Sequence, residues 1–207
     1  MPHSFKQFLE ELSREKAPGP SPTFLPFHIL RAMELISKKP IGRNKLSEEL
    51  KVGEGATRTL INRLKDHGII EISKAGCVLT NKGSQFWKQF KAILKEKNEF
   101  EKSELTLADY NVAVLVKNRG HKVKSGVEQR DAAVIAGAKG ATTMILKKGH
   151  LVMPAMSDDV TKDFPKTAKQ IIKLLKPLEN DVIIVGSAES PIKAEYGAYA
   201  AALTLLD

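Results

Sequence analysis

The feature that most constrains this chain is an ordered change of apolar period between Phe27 and Leu94. Phe27, Ile29, Leu30, Met33 and Ile36 recur at helical spacing over Phe27 to Ser37. After Pro40-Ile41-Gly42, Leu46 and Leu50 mark a second helix from about Arg43 to Leu50. Leu60, Ile61 and Leu64 mark a third, from about Gly55 to His67, which Gly68 stops. The pattern then turns to strands, Ile69-Ile70-Glu71-Ile72 and Gly76-Cys77-Val78-Leu79, joined through Ser73-Lys74-Ala75-Gly76. Thr80 can cap a last long helix running to about Glu101, with Phe86, Trp87, Phe90, Ile93 and Leu94 as its apolar side. Helix, helix, helix, hairpin, helix is the element order of a winged helix-turn-helix.

This unit has neighbours on both sides. Before it, Phe5, Phe8, Leu9 and Leu12 lie at the spacing of one helix face. Pro18, Pro20, Pro22 and Pro26 then form a stretch that cannot continue a helix. Residues 1–25 thus read as an amphipathic arm on a stiff linker, packing on its own domain or on a second subunit. The winged helix with its linking helix occupies 26–103, and 104–207 forms another unit. In that unit strands are expected at Val112–Lys117, Thr142–Lys147, His150–Met153 and Val182–Val185. Helices are expected at Val127–Ala136, Lys162–Leu175 and Pro191–Leu205. The order predicts an α+β sandwich, one mostly antiparallel sheet covered by helices. Its Ala-rich last helix can serve as a dimer surface or lie on its own sheet.

Charge separates the two parts. The chain carries a formal +9, a balance that favours polyanionic partners. Ser37 to Lys97 holds fourteen Lys or Arg against six Asp or Glu, whereas Leu105 to Asp207 holds fourteen against eleven. The basic excess therefore belongs to the winged helix. Stepping 100° per residue, the third helix sets Gly55, Arg58, Thr59, Asn62 and Asp66 opposite its buried side, with Arg63 and Lys65 flanking. Arg58 and Asn62 are candidate base readers in the major groove, since Arg pairs bidentately with guanine and Asn with adenine. Glu54 can accept from cytosine. Arg63, Lys65 and the wing residue Lys74 suit phosphates, which position a protein without reading sequence. The competing account is a solvated helix face, or a winged helix that docks protein.

The residues Ile41-Gly42-Arg43-Asn44-Lys45-Leu46-Ser47-Glu48-Glu49-Leu50 and Gly53-Glu54-Gly55-Ala56-Thr57-Arg58-Thr59-Leu60 resemble winged-helix regulators of the central glycolytic gene regulator type. Leu64-Lys65-Asp66-His67-Gly68-Ile69-Ile70-Glu71 and Leu79-Thr80-Asn81-Lys82-Gly83 extend that similarity. With Glu128-Gln129-Arg130-Asp131-Ala132-Ala133 and Gly137-Ala138-Lys139-Gly140-Ala141-Thr142-Thr143, the whole chain resembles archaeal two-domain proteins of unassigned function. The resemblance implies a transcription regulator, with a second domain similar to the GAD domain.

In the second unit Ser125-Gly126-Val127-Glu128 fits a capping box, with Ser125 as the cap. Arg130 suits an ion-pair network, a subunit contact or a ligand. The run from Gly137 to Thr143 can form an anion nest holding Thr142 and Thr143, though no Gly-Lys-Ser/Thr closes it as a phosphate loop, and a tight helix-to-strand turn explains it equally. Gly186-Ser187-Ala188-Glu189-Ser190-Pro191 enters a helix with Ser190 as N-cap, and Ser187 beside that N-terminus is an anion-site candidate. Arg130, Thr142, Thr143 and Ser187 are therefore the candidate ligand contacts.

His3, His28, His67, His121 and His150 do not fall at metal-ligand spacing with each other or with Cys77. No nucleophile elbow, dinucleotide fingerprint or kinase motif is present. No catalytic residue, metal or cofactor is expected. The single cysteine cannot form an intramolecular disulfide, and no signal peptide or membrane-length apolar run occurs. A cytoplasmic protein is expected, with double-stranded DNA as partner, a homodimer as assembly, and a small-molecule or anionic effector or a dimer contact as the business of the second domain. A protein-binding adaptor of the transcription or translation machinery is the other reading.

Overall fold

The computed structural model describes residues 5–14, 23–95 and 97–206. The chain divides into two compact units between Phe90 and Lys91.

The first unit contains α1 (Phe5–Ser13), α2 (Pro26–Lys38), α3 (Arg43–Leu50), α4 (Glu54–Asp66), β1 (Ile70–Ser73) and β2 (Gly76–Leu79), and α5 (Asn81–Ile93) begins in it. Pro26 opens α2 at its first turn, where the missing N–H costs nothing. Leu30, Met33, Leu46, Leu50, Leu60 and Leu64 are almost completely buried and form the core between the helices. Burying one such side chain contributes roughly 1.5–3 kcal/mol before the entropy of ordering it. Thr80 acts as the expected cap: its hydroxyl accepts the Gly83 N–H at 3.0 Å and donates to the Gly68 carbonyl at 2.7 Å.

The wing is larger than the hairpin that the pattern predicts. β1 and β2 pair from Ile70–Leu79 to Ser73–Gly76. Ile41 adds a bridge on the far side of β2, exchanging hydrogen bonds with Cys77 at 2.9 and 3.2 Å. Gly76 makes this approach possible. Its φ is +122°, and a Cβ there would stand 2.6 Å from the Ile41 carbonyl carbon and oxygen.

The arm packs on its own unit. Leu9 and Leu12 are buried, and Phe5 and Phe8 lie with ring centroids 4.8 and 4.7 Å from Phe86. The prolines Pro18, Pro20 and Pro22 fall outside the described residues.

The second unit contains β3 (Asn98–Glu99), β4 (Tyr110–Val116), α6 (Val127–Ile135), β5 (Gly140–Lys147), β6 (His150–Val152), α7 (Val160–Asp163), α8 (Pro165–Leu175), β7 (Val182–Ala188) and α9 (Pro191–Leu203). The sheet order is β3-β4-β7-β5-β6, antiparallel throughout. On one face Ala113, Leu115, Met144, Ile183 and Val185 meet Ala168, Ile171 and Leu175 of α8 in one core. On the other, α9 lies on β4 and β7, and α6 packs on α9 and β5. This is the α+β sandwich that the pattern predicts.

Three details differ from the sequence reading. The long helix ends at Ile93 instead of Glu101, because the chain turns to cover the edge of β4: Lys117 N–H donates to Ile93 at 2.8 Å, Lys95 N–H to Leu115 at 3.0 Å, and β3 then pairs with Val112 and Ala113. Satisfying that strand edge outweighs the helical propensity of a charged run. The helix expected from Lys162 breaks at Phe164 (φ −136°), since Pro165 disfavours helical backbone in the residue before it. Gly126, not Ser125, is the N-cap of α6, with φ +80°. Of the two roles open to α9, it takes the place on its own sheet. Ala194, Ala198, Ala201 and Ala202 are wholly buried, and a Cβ on Gly186 would stand 2.5 Å from the Ala194 carbonyl oxygen.

Candidate functional site

Helix α4 begins at Gly53, an N-cap without a capping side chain, so its first N–H groups remain available. Thr57, Leu60, Ile61 and Leu64 are buried, and Thr57 also donates to the Gly53 carbonyl at 3.1 Å. The opposite side carries Glu54, Gly55, Arg58, Thr59, Asn62 and Lys65, all exposed. A Cβ on Gly55 would meet nothing within 4 Å. Thr59 donates its hydroxyl hydrogen to the Gly55 carbonyl at 3.1 Å, which orients its lone pairs outward. The helix wheel thus assembles one polar strip about three turns long. Lys74 is exposed at the tip of the wing turn, which the Ser73 hydroxyl braces by donating to the Gly76 carbonyl at 2.9 Å and accepting from Ala75 N–H at 3.2 Å.

Arg63 does not belong to this strip. Its residue is 8% exposed, and Nη1 donates to the Leu12 and Arg14 carbonyls at 2.6 and 2.7 Å. The guanidinium carbon lies 5.5 Å from the Phe24 ring centroid. The phosphate role expected of it is therefore corrected. The guanidinium closes the C-terminal end of α1, where helix carbonyls lack partners. A helical wheel cannot show this, because the carbonyls it satisfies come from a segment about fifty positions away.

On α3, Lys45 pairs with Glu48 at 3.2 Å and Glu49 at 3.3 Å, and these carboxylates raise its pKa above the ordinary lysine value. Arg43, at the start of α3, is exposed.

In the second unit the structure brings three of four candidates together. Arg130, Thr142 and Thr143 line a cavity of about 380 Å³, with Ser125, Leu107, Val127, Met153 and Met156 among their neighbours. Thr142 donates its hydroxyl to the Leu105 carbonyl at 2.7 Å. Arg130 holds Asp131 through Nε at 3.0 Å and Nη2 at 2.8 Å, on the surface. Ser187 stands apart: it is completely buried, and its Oγ accepts the Leu107 N–H at 3.1 Å. A helix-terminal anion site at Ser187 is thereby corrected to a loop anchor. Ser190 occupies the N-cap of α9 without a capping hydrogen bond from its hydroxyl. Leu107, Met153 and Met156 were missed, since they come from loops that only the folded sheet brings to one cavity.

The family model of the CggR N-terminal DNA binding domain matches residues 26–94. That of the domain of unknown function DUF4443 matches residues 107–205. Among curated proteins nothing matches. Among solved structures, hypothetical protein PH0730 from Pyrococcus horikoshii OT3 is 31% identical, with a TM-score of 0.67 over 85% of this chain and 89% of that one. This chain accordingly belongs to the same two-domain family as that protein, in which a winged-helix DNA-binding domain of the CggR type precedes a DUF4443 domain.

Proposed function

We propose that the protein is a cytoplasmic, dimeric transcription regulator, not an enzyme, in which α4 enters the major groove of duplex DNA and the wing lies along the backbone. Arg58 and Asn62 read bases, Glu54 accepts from cytosine, and Gly55 lets the helix approach closely. Lys65 and Lys74 hold phosphates, while Thr59, whose hydroxyl hydrogen is given to Gly55, turns its lone pairs to a base-edge donor. The second unit senses a small ligand or joins two copies. An effector shifts DNA affinity only as far as it binds two domain arrangements unequally. Dimerisation suits a single reading helix, because two half-sites give the specificity that one short contact lacks.

The observation that carries this reading is the strip on α4: six sequence-chosen residues, Glu54 to Lys65, exposed on one side of a helix whose other side is core. The match to a DNA-binding family model over the same residues supports it. The test is fluorescence anisotropy against mixed duplex fragments at two salt concentrations, beside an Arg58→Ala/Asn62→Ala double variant. Salt-sensitive binding whose fragment preference vanishes in the variant is expected. Absence of binding at low salt would overturn the reading and leave a protein-docking module.

A further inference from the structure

We propose that the second unit binds a small organic acid with an apolar body, in the cavity where the edge of β5 is left uncovered; this rests on the sensing half of the function proposed above. The cavity owes its existence to strand length. β7 pairs with β5 from Gly140 to Ile145, whereas β6 pairs only from Ile145 to Lys147. Residues of an antiparallel strand turn their N–H and C=O groups to alternate sides. Leu146 N–H donates to Asp181 at 3.0 Å, on the β7 side. Met144 and Thr142 therefore face β7, and the main-chain groups of Thr143 and Ala141 face the side that β6 no longer covers. About 380 Å³ opens there, within the range of small-molecule sites.

Thr143 is the strongest sign of a ligand. The residue is 4% exposed, yet its Oγ1 has no hydrogen-bond partner among the described residues. A buried hydroxyl left unpaired destabilises a fold, and native proteins rarely keep one without a use. It lies beneath the entry to α6, since a Cβ on Gly126 would stand 3.8 Å from this oxygen. The cap of α6 is Gly126, which offers no side chain; only the Val127 N–H has a nearby hydroxyl, Ser125 Oγ at 3.4 Å. The first turn thus presents partial positive charge at the cavity.

Arg130 supplies the full charge. Its pairing with Asp131 uses Nε and Nη2, so Nη1, which has no partner among the described residues, is open to a ligand oxygen. Glu104 also lines the cavity, and its Oε2 accepts from Thr167 at 3.1 Å; a carboxylate there directs a ligand's acid group towards Arg130. The rest of the mouth is apolar. Leu107, Val127 and Met156 are 56%, 45% and 77% exposed and all line this one cavity, with Met153 buried behind them. Exposed apolar side chains gathered at one opening mark a binding surface.

The methionines provide the test. The chain has five, of which Met153 and Met156 line the cavity and Met33 lies in the core of the first unit. The full chain, labelled at its methionine methyls, is titrated with phenylacetate, isocaproate and octanoate, and with 2-phenylethanol as an uncharged comparison. At least one acid should move the Met153 and Met156 signals saturably and leave Met33 in place. The alcohol should bind several-fold more weakly, and Arg130→Gln should bring the acid down to the alcohol's level. Thr143→Val should raise the melting temperature of the free protein while weakening acid binding, a combination that a structural hydroxyl would not produce. Unmoved Met153 and Met156 signals with all three acids at millimolar concentration would overturn the proposal. So would equal binding of acid and alcohol, or a lower melting temperature in Thr143→Val. No DNA enters the experiment, so its failure leaves the α4 reading standing.

Discussion

Arg63 Nη1 donates to the carbonyl oxygen of Leu12 at 2.6 Å, across 51 positions of sequence. Through this bond and its companion to Arg14, a residue of α4 holds the N-terminal arm against the winged helix. Arg63→Ala should cost about 2 kcal/mol, because it strands buried carbonyls that a charged donor had satisfied. The first unit should melt roughly 10 °C lower, and amides of α1 should exchange faster. Scanning calorimetry and hydrogen exchange check this; an unchanged melting point would mean that the arm is held by its aromatic contacts alone.

Acid should destabilise the same unit through His28. Its Nδ1 accepts the Leu25 N–H at 2.9 Å, and burial pushes its pKa from 6.5 down to about 4. The unfolded chain takes up the proton near pH 6.5 and the folded chain only near pH 4. The stabilising contribution is therefore complete above pH 6.5 and is lost as pH falls through 4, on the order of 3 kcal/mol in total. Urea unfolding across that interval should show the decline. A His28→Gln variant, whose side chain can still accept at the third helical position, should show a flatter profile.

Gly55 offers a test in which stability and binding part company. It lies exposed inside α4 with open space where a Cβ would stand. Gly55→Ala should stabilise the helix by about 0.5–1 kcal/mol. If α4 presses against bases, the added methyl should nevertheless weaken duplex binding in the anisotropy assay. A variant that is more stable and binds duplex equally well would place the contact elsewhere.

The wing should be intolerant at one position. Gly76→Ala forces a methyl to within 2.6 Å of the Ile41 main chain at a φ of +122°, at a cost of about 2 kcal/mol or more. The Ile41–Cys77 bridge should open, seen as faster exchange of both amides. Gly42→Ala meets nothing within 4 Å and should leave that bridge closed.

Much of the first unit could be read from spacing alone, because each helix buries one stripe of its own residues and each stripe repeats locally. Leu60, Ile61 and Leu64 point inward while Arg58, Thr59 and Asn62 point outward, a relation contained within seven consecutive residues. The same local logic located four of the five strands of the second unit within a few residues of their observed ends, missing β3, and predicted a mostly antiparallel sheet covered by helices.

What the wheel could not assign was the fate of a polar residue at the border of the stripe. Arg63 and Lys65 flank the exposed face on opposite sides, and only the docking of α1 separates a buried structural guanidinium from an exposed ammonium. Strand order, too, lay beyond local periodicity. The pairing of β7 between β4 and β5 joins segments far apart in the chain, and the shortness of β6 leaves Thr143 beside a cavity instead of a neighbouring strand. Residue spacing was enough for most helices and strands and for the apolar side of each, since both depend on residues within a turn or two. It was not enough for the end of α5 or for β3. Tertiary structure alone decided which polar groups are spent on closing the fold and which are left to meet a partner, because hydrogen bonds are satisfied by whatever the packed chain brings near.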